Sequence, residues 1–142
     1  MLANFEAYPR DRRAALKTGF EAAVRALTGA GKQVMLFEPV PTFAYDVPTA
    51  VGLVAARGGD PSAWGIPIET YDDKNAPFLA LTARLAKATP SVSLIPTSRI
   101  LCPGGFCNAY AKGEGVLYFN ADHLSLTGAR RLAMAVALPA SR

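Results

Sequence analysis

The chain has 142 residues, of which 51% are hydrophobic and 18% are charged, and its formal net charge is +4. This length and balance are those of one ordinary globular domain and exclude a disordered or low-complexity chain. The basic residues are scattered rather than arranged in a stripe with interleaved aromatic residues, so nucleic-acid binding is not expected. No apolar run is long enough to cross a bilayer, and the N-terminus lacks the pattern of a signal peptide, so the residues alone predict a cytoplasmic chain.

The first part of the chain predicts a helix followed by a strand. Apolar residues recur at helical spacing through residues 10–30, and glycines close this segment. The continuously apolar residues 33–37 then predict a strand that is buried on both faces of a parallel sheet and ends at Pro39. A helix, a short turn and a buried strand form half of a β-α-β repeat, whose ligands bind at the carboxyl edge of the sheet.

Asp46 and Pro48 predict the start of a second helix that continues through residues 51–56. Residues 71–88 have the composition of a third helix, and Pro77 predicts a kink or a delayed start within it.

Residues 92–95 and residues 116–119 predict two short strands, and Ser125 predicts the N-cap of the last helix. Two or three strands are few for an α/β domain with this helix content and would leave a sheet edge unpaired. We therefore expect that an element on the N-terminal side is missing.

The single histidine, His123, lies in the predicted loop between the last strand and the last helix. Because the ordinary pKa of histidine is near neutrality, this side chain is the leading candidate for a general base. A catalytic histidine needs a partner that fixes its tautomer. Asn120, three residues earlier, offers an uncharged amide oxygen, and Asp122 is either the orienting acid or a solvated loop carboxylate. The alternative for His123 is a structural residue with satisfied hydrogen bonds at a helix start.

A nucleophile is harder to find in the sequence. The segment Gly59-Asp60-Pro61-Ser62 is superficially similar to a Gly-Asp-Ser elbow. However, Pro61 separates the acid from the serine and no buried strand precedes them, so turn chemistry explains this segment better. No glycine loop typical of phosphate or dinucleotide binding is present, and no cofactor is expected.

Cys102 and Cys107 enclose a turn-forming loop that could bring the two thiols together. A structural disulfide is the favoured interpretation, and it implies an oxidising compartment, in conflict with the missing export signal. Metal ligation and a redox pair are the alternatives. One histidine and two cysteines make an incomplete metal site, and redox pairs usually have two intervening residues.

Several separate stretches resemble one family. Ile100-Leu101-Cys102-Pro103 with Cys107, followed by Gly115-Val116-Leu117-Tyr118 and by Asp122-His123-Leu124-Ser125 with Gly128-Ala129, are similar to the end of the SGNH domain. This domain is fused behind the membrane part of bacterial acyltransferase-three proteins, which O-acetylate lipopolysaccharide and other envelope glycans. The strand before Pro39 and the segment Tyr45-Asp46-Val47-Pro48 are similar to the middle of the same domain.

The resemblance implies a flavodoxin-like three-layer α/β sandwich on the periplasmic face of the inner membrane. It implies a serine on an N-terminal elbow that forms an acyl-enzyme, and a C-terminal Asp-x-x-His that supplies acid and base. His123 matches the base, and Cys102 with Cys107 match the family's disulfide. Asn120 occupies the family's aspartate position, which predicts weakened catalysis.

The family's Gly-Asp-Ser block, first strand, oxyanion donors and membrane helices have no counterpart in these residues. The resemblance therefore predicts that residues 1–142 are the C-terminal portion of a single SGNH-like domain, inactive when isolated. Its expected partners are a glycan acceptor, an acyl donor reached through a membrane acyltransferase portion, and an N-terminal half-domain or a second copy at the exposed sheet edge. A non-catalytic remnant or carbohydrate-binding module of the same fold is the alternative.

Overall fold

The computed structural model describes residues 10–136 of the chain. The described residues form two compact units, one from residues 10–39 and Asp72–Pro96 and the other from Val40–Tyr71 and residues 97–136. The helices are α1 (Arg10–Gly29), α2 (Val47–Ala56), α3 (Ile68–Ala88), α4 (Thr97–Leu101) and α5 (Leu126–Ala135). The strands are β1 (Val34–Phe37), β2 (Gly65–Pro67), β3 (Val92–Ile95), β4 (Phe106–Asn108), β5 (Tyr110–Ala111) and β6 (Gly115–Val116).

The first unit is built around a parallel pair of strands. β1 pairs with β3 in the register Val34↔Val92 to Phe37↔Ile95. Helical spacing places apolar residues of α1 and α3 on the faces that pack against this pair. The shared core consists of Val24, Val34, Leu36, Leu81, Leu85 and Val92. This small sheet confirms the prediction of a mixed α/β chain with parallel strands.

The prediction that the first strand is buried on both faces is wrong. Burial alternates along β1, so that Val34 and Leu36 face the core while Met35 and Phe37 are 42% and 45% exposed. Successive side chains of a strand point to opposite faces, so a helical layer on one side covers only every second residue. The continuous apolar run therefore leaves one face of this pair open in the described residues.

The second unit has two small antiparallel pairs, β2 with β4 and β5 with β6. Its core is centred on Phe43, whose ring lies 5.3 Å from that of Trp64 and 4.8 Å from that of Tyr118. Val47, Val51, Ala109 and Leu117 complete the buried cluster. Aromatic pairs in stacked and edge-on arrangements stabilise such a core beyond the effect of the area that they bury.

The sequence signals at the helix ends predict most boundaries in this part of the chain. Asp46 caps α2, accepting from the Thr49 N–H at 3.0 Å and from the Thr49 hydroxyl at 2.6 Å. These hydrogen bonds hold the pKa of Asp46 below its ordinary value, the side-chain bond having the larger effect.

The prediction of a delayed start for the third helix is wrong, because α3 begins at Ile68 and continues through Pro77. Within residues 10–136, no helix is both long and apolar enough to span a bilayer.

Candidate functional site

The loop that carries His123 is a tight turn that closes on itself. The Ser125 N–H donates to the Leu117 carbonyl at 2.9 Å, and the Phe119 N–H donates to the His123 carbonyl at 3.0 Å. Between these bonds, Tyr118 and Leu124 form an antiparallel bridge. We call residues 118–124 the base loop. The strand predicted over residues 116–119 is confirmed only at Val116, because β6 ends there and the chain reverses between Tyr118 and Leu124.

The base loop is fixed to the start of α5 by Ser125 and Gly128. The Ser125 hydroxyl donates to the Val116 carbonyl at 2.7 Å and accepts from the Gly128 N–H at 3.2 Å, which confirms the predicted N-cap. Gly128 packs directly on the Leu117 carbonyl, and a side chain there would collide with that backbone group. Glycine is therefore required for the close approach of α5 to the base loop.

Asn120 organises the backbone of the base loop. Its Oδ1 accepts from the His123 N–H at 2.8 Å and from the Asp122 N–H at 3.0 Å. Backbone N–H groups can donate to the oxygen of the Asn120 amide but not to its NH₂ group. These two bonds therefore determine that Oδ1, and not Nδ2, faces the loop backbone. The amide thus does what an aspartate carboxylate would do for the loop, without its charge.

The imidazole of His123 is contacted at Nδ1 by two side chains. Asp122 Oδ1 lies 2.8 Å from Nδ1, while Oδ1 and Nδ2 of Asn120 lie at 3.2 Å and 3.1 Å. The carboxylate contact is the shortest and is charge-assisted, so it favours a proton on Nδ1 over an Nδ1 that accepts from the amide. In that tautomer Nε2 carries the lone pair and is the nitrogen that can accept a proton.

Both partners of this pair are half-exposed, the side chain of His123 by 46% and that of Asp122 by 48%. Solvent screens such a pair, so its contribution to stability is about 0.2–1 kcal/mol. Its consequence is orientation of the ring rather than stability of the fold. The sequence is compatible with Asp122 as an orienting acid or as a solvated carboxylate, and the structure places its carboxylate beside the ring.

Phe119 lies against the face of the same imidazole. The two ring centroids are 5.4 Å apart, with an angle of 29° between the planes. Phe119 is nevertheless 60% exposed. Sequence reasoning missed this contact because it assigned Phe119 to a strand; the i, i+4 spacing across a turn was the available signal.

Ser62, the serine of the segment that is superficially similar to an elbow, takes part in local hydrogen bonds. Asp60 Oδ1 accepts from the Ser62 N–H at 2.9 Å and from the Ser62 hydroxyl at 2.7 Å, at the start of a 3₁₀ turn over Pro61–Ala63. These bonds hold the pKa of Asp60 below its ordinary value, and the bond from the Ser62 hydroxyl has the largest effect. The geometry is that of a capped turn, as the sequence indicates, and not that of a nucleophile elbow.

Cys102 and Cys107 form a disulfide, as predicted. The bridge spans a 3₁₀ turn over Pro103–Gly105 in which Gly104 and Gly105 have φ of 69° and 83°, a region that favours glycine. Both cysteines are buried, and the bridge connects the end of α4 to β4. In residues 10–136 no group of three His, Cys, Asp or Glu side chains could hold a metal ion.

A mixed α/β chain with a small parallel sheet and a histidine in a strand-to-helix loop is compatible with the SGNH class of fold. Comparison with protein families identifies the particular family. The model of the SGNH domain that is fused to AT3 domains matches residues 2–137, and the chain belongs to this family of acyltransferase-associated SGNH domains. No curated protein and no solved structure matches the chain.

Proposed function

We propose that this chain provides the general base for O-acetylation of cell-envelope glycans by an acyltransferase of the AT3-associated SGNH type. His123 is the base, Asp122 orients its ring and faces the charge that it acquires, and Asn120 holds the loop backbone. The observation that carries the proposal is the 2.8 Å contact between Asp122 Oδ1 and His123 Nδ1, since it leaves Nε2 as the proton acceptor. The family match supports the acyl-transfer chemistry.

The nucleophile in this proposal is a serine outside the 142 residues, on a Gly-Asp-Ser segment of an N-terminal half-domain. Its Oγ attacks the acyl carbon of the donor while Nε2 takes the hydroxyl proton, and the imidazolium then returns that proton to the leaving group. A glycan hydroxyl next attacks the acyl-enzyme, with its proton passing to Nε2 and then to the departing serine. Chain 1–142 is thus the C-terminal portion of an SGNH domain, working with a membrane acyltransferase portion on the periplasmic side.

With asparagine rather than aspartate at position 120, we expect slower catalysis than an Asp-x-x-His pair would give. An amide at this position keeps both backbone hydrogen bonds but contributes no charge opposite the imidazolium. Asp122, the residue next to His123, supplies a charge instead, but at a half-exposed surface where solvent reduces its effect. We therefore expect Asn120→Asp to raise the rate of an assembled enzyme and to leave the isolated chain inactive.

The tautomer of His123 is a direct test, because the chain has one histidine and its ring nitrogens give a single set of NMR signals. Long-range ¹H–¹⁵N spectra of the neutral ring should show the proton on Nδ1. Asp122→Asn should shift the population toward the Nε2–H form, whereas Asp72→Asn, at an exposed acid of α3, should not. A predominant Nε2–H form in the unaltered chain would contradict the assigned role of Asp122.

Hydrolysis of p-nitrophenyl acetate tests the catalytic part of the proposal. The isolated chain should hydrolyse this ester at the uncatalysed rate, and turnover should appear when a polypeptide with the Gly-Asp-Ser half of an SGNH domain is supplied. That turnover should disappear in His123→Ala. Turnover by the isolated chain that depends on His123 would instead place the nucleophile within the 142 residues.

Asn120 also favours a second candidate, a non-catalytic glycan-binding module of the same fold. An amide that fixes the loop without a catalytic charge is what relaxed selection for acyl transfer would leave behind. Glycan binding by the complete assembly, with no acetyl-enzyme detected by mass spectrometry, would favour this candidate.

A further inference from the structure

Phe119 is held at a fixed position in the base loop. A single exposed apolar side chain is ordinary on a protein surface. Phe119, however, follows Tyr118, which is 1% exposed, and precedes Asn120, whose side chain binds the loop backbone. Its own N–H donates to the His123 carbonyl at 3.0 Å, and its ring stacks on the imidazole. The ring is therefore anchored on one side and open to solvent over much of its surface.

We propose that Phe119 is an acceptor-binding residue, an apolar platform on which a pyranose ring of the glycan packs while one of its hydroxyls meets His123 Nε2. This inference rests on the proposed function. A hydroxyl that gives its proton to Nε2 must approach to about 2.6–3.2 Å. Phe119, whose ring centroid lies 5.4 Å from that of the imidazole, is the aromatic side chain beside His123 on which the ring carbons behind that hydroxyl would pack.

A pyranose is the class of ligand that fits this pair of groups. Its hydroxyls lie around the rim of the ring and its C–H groups form apolar faces, so it needs an apolar surface beside a few polar groups. Phe119 supplies the apolar surface, and Nε2 with the half-exposed Asp122 carboxylate supplies the polar groups. An aromatic side chain has only two χ angles, so fixing it against a sugar costs little conformational entropy.

The experiment is a titration of the full labelled chain with methyl β-D-glucopyranoside, followed by NMR at the ring signals of Phe119 and His123. Sorbitol, a polyol without a ring face, is the matched control ligand. We expect saturable shifts with the glucoside and none with sorbitol. Absence of saturable shifts with the glucoside, or equal shifts with sorbitol, would overturn the proposal.

Substitutions separate a platform from a merely structural residue. Phe119→Tyr and Phe119→Trp keep an aromatic face and should retain binding, whereas Phe119→Leu should weaken it by about two- to tenfold, the usual worth of a specific aromatic contact. Phe37→Leu, at another exposed phenylalanine, should change nothing. Unchanged affinity in Phe119→Leu would also overturn the proposal.

The tautomer of His123 keeps the two proposals distinguishable. An Nδ1–H ring in a chain that binds no glucoside would refute the sugar platform and leave the base intact. An Nε2–H ring in a chain that binds the glucoside through Phe119 would refute the base and leave a glycan-binding surface. Each result is read from the same labelled sample.

Discussion

Gly128→Ala is expected to destabilise the second unit, although alanine normally stabilises a helix. A Cβ at this position would lie inside van der Waals contact with the Leu117 carbonyl oxygen, 3.1 Å from the Leu117 carbonyl carbon and 3.0 Å from Leu124 Cδ2. The oxygen cannot retreat freely, because it accepts the 2.9 Å hydrogen bond from the Ser125 N–H that closes the base loop. Overpacking of this kind costs about 1–3 kcal/mol.

Gly52→Ala is the matched control. Gly52 lies within α2 of the same unit, and a Cβ there would have no neighbour within 4 Å. Alanine at such a position should stabilise by about 0.5–1 kcal/mol, so the two variants should differ by about 1.5–4 kcal/mol in free energy of unfolding. Urea denaturation followed by the fluorescence of Trp64, the only tryptophan and a member of this unit, measures the difference. Equal stability of the two variants would refute the close approach on which the base loop depends.

Two further predictions concern buried groups of the same unit. Tyr118→Phe should leave stability at neutral pH unchanged or raise it by up to about 1 kcal/mol, because the buried Tyr118 hydroxyl has no hydrogen-bond partner among residues 10–136. The pKa of Tyr118 is raised above its ordinary 10.0, first by burial and then by the neighbouring Tyr71. Because the unfolded chain loses this proton more readily than the folded chain, the free energy of unfolding falls as the pH rises above 10. The free energy of unfolding, measured by urea denaturation, should therefore fall in alkali by about 1.4 kcal/mol per pH unit more in the unaltered chain and in the exposed control Tyr45→Phe than in Tyr118→Phe. Parallel pH profiles would contradict this. Reduction of the Cys102–Cys107 bridge, whose cysteines are 5 residues apart, should cost about 2 kcal/mol of unfolding free energy, and an unchanged urea midpoint in dithiothreitol would contradict a structural role.

Elements with strong local signals were predictable from the sequence. The helical spacing of residues 10–30 corresponds to α1, which ends at Gly29, and Asp46 and Ser125 cap α2 and α5 as predicted. Capping depends on a few consecutive residues, so the sequence contains nearly all the information that determines it. The parallel strands were found for a similar reason, since short β-branched and apolar runs between turns have few alternatives.

Features that depend on tertiary arrangement were not predictable. Alternating burial of β1 follows from how many layers cover the sheet, which an apolar run does not reveal. The contact of Asp122 with His123 depends on a turn that brings adjacent side chains together, against the usual tendency of neighbours to point apart. The stacking of Phe119 depends on the reversal of the chain between Tyr118 and Leu124.

The base loop also explains how a chain could keep the pattern around the histidine that the resemblance implies, with asparagine in place of the implied aspartate. Three features fix the backbone of the loop. Its N–H groups donate to the side chain at position 120, which can be any hydrogen-bond acceptor; Ser125 caps the helix that follows; and Gly128 has no side chain to keep that helix away. An amide and a carboxylate are equivalent for these bonds, so replacement of aspartate by asparagine leaves the geometry intact. The replacement changes only the charge beside Nδ1, and here Asp122 provides a charge from the next position but one. The position of His123 and the strength of its partner are therefore separable properties, because the loop determines the first and a single surface carboxylate determines the second.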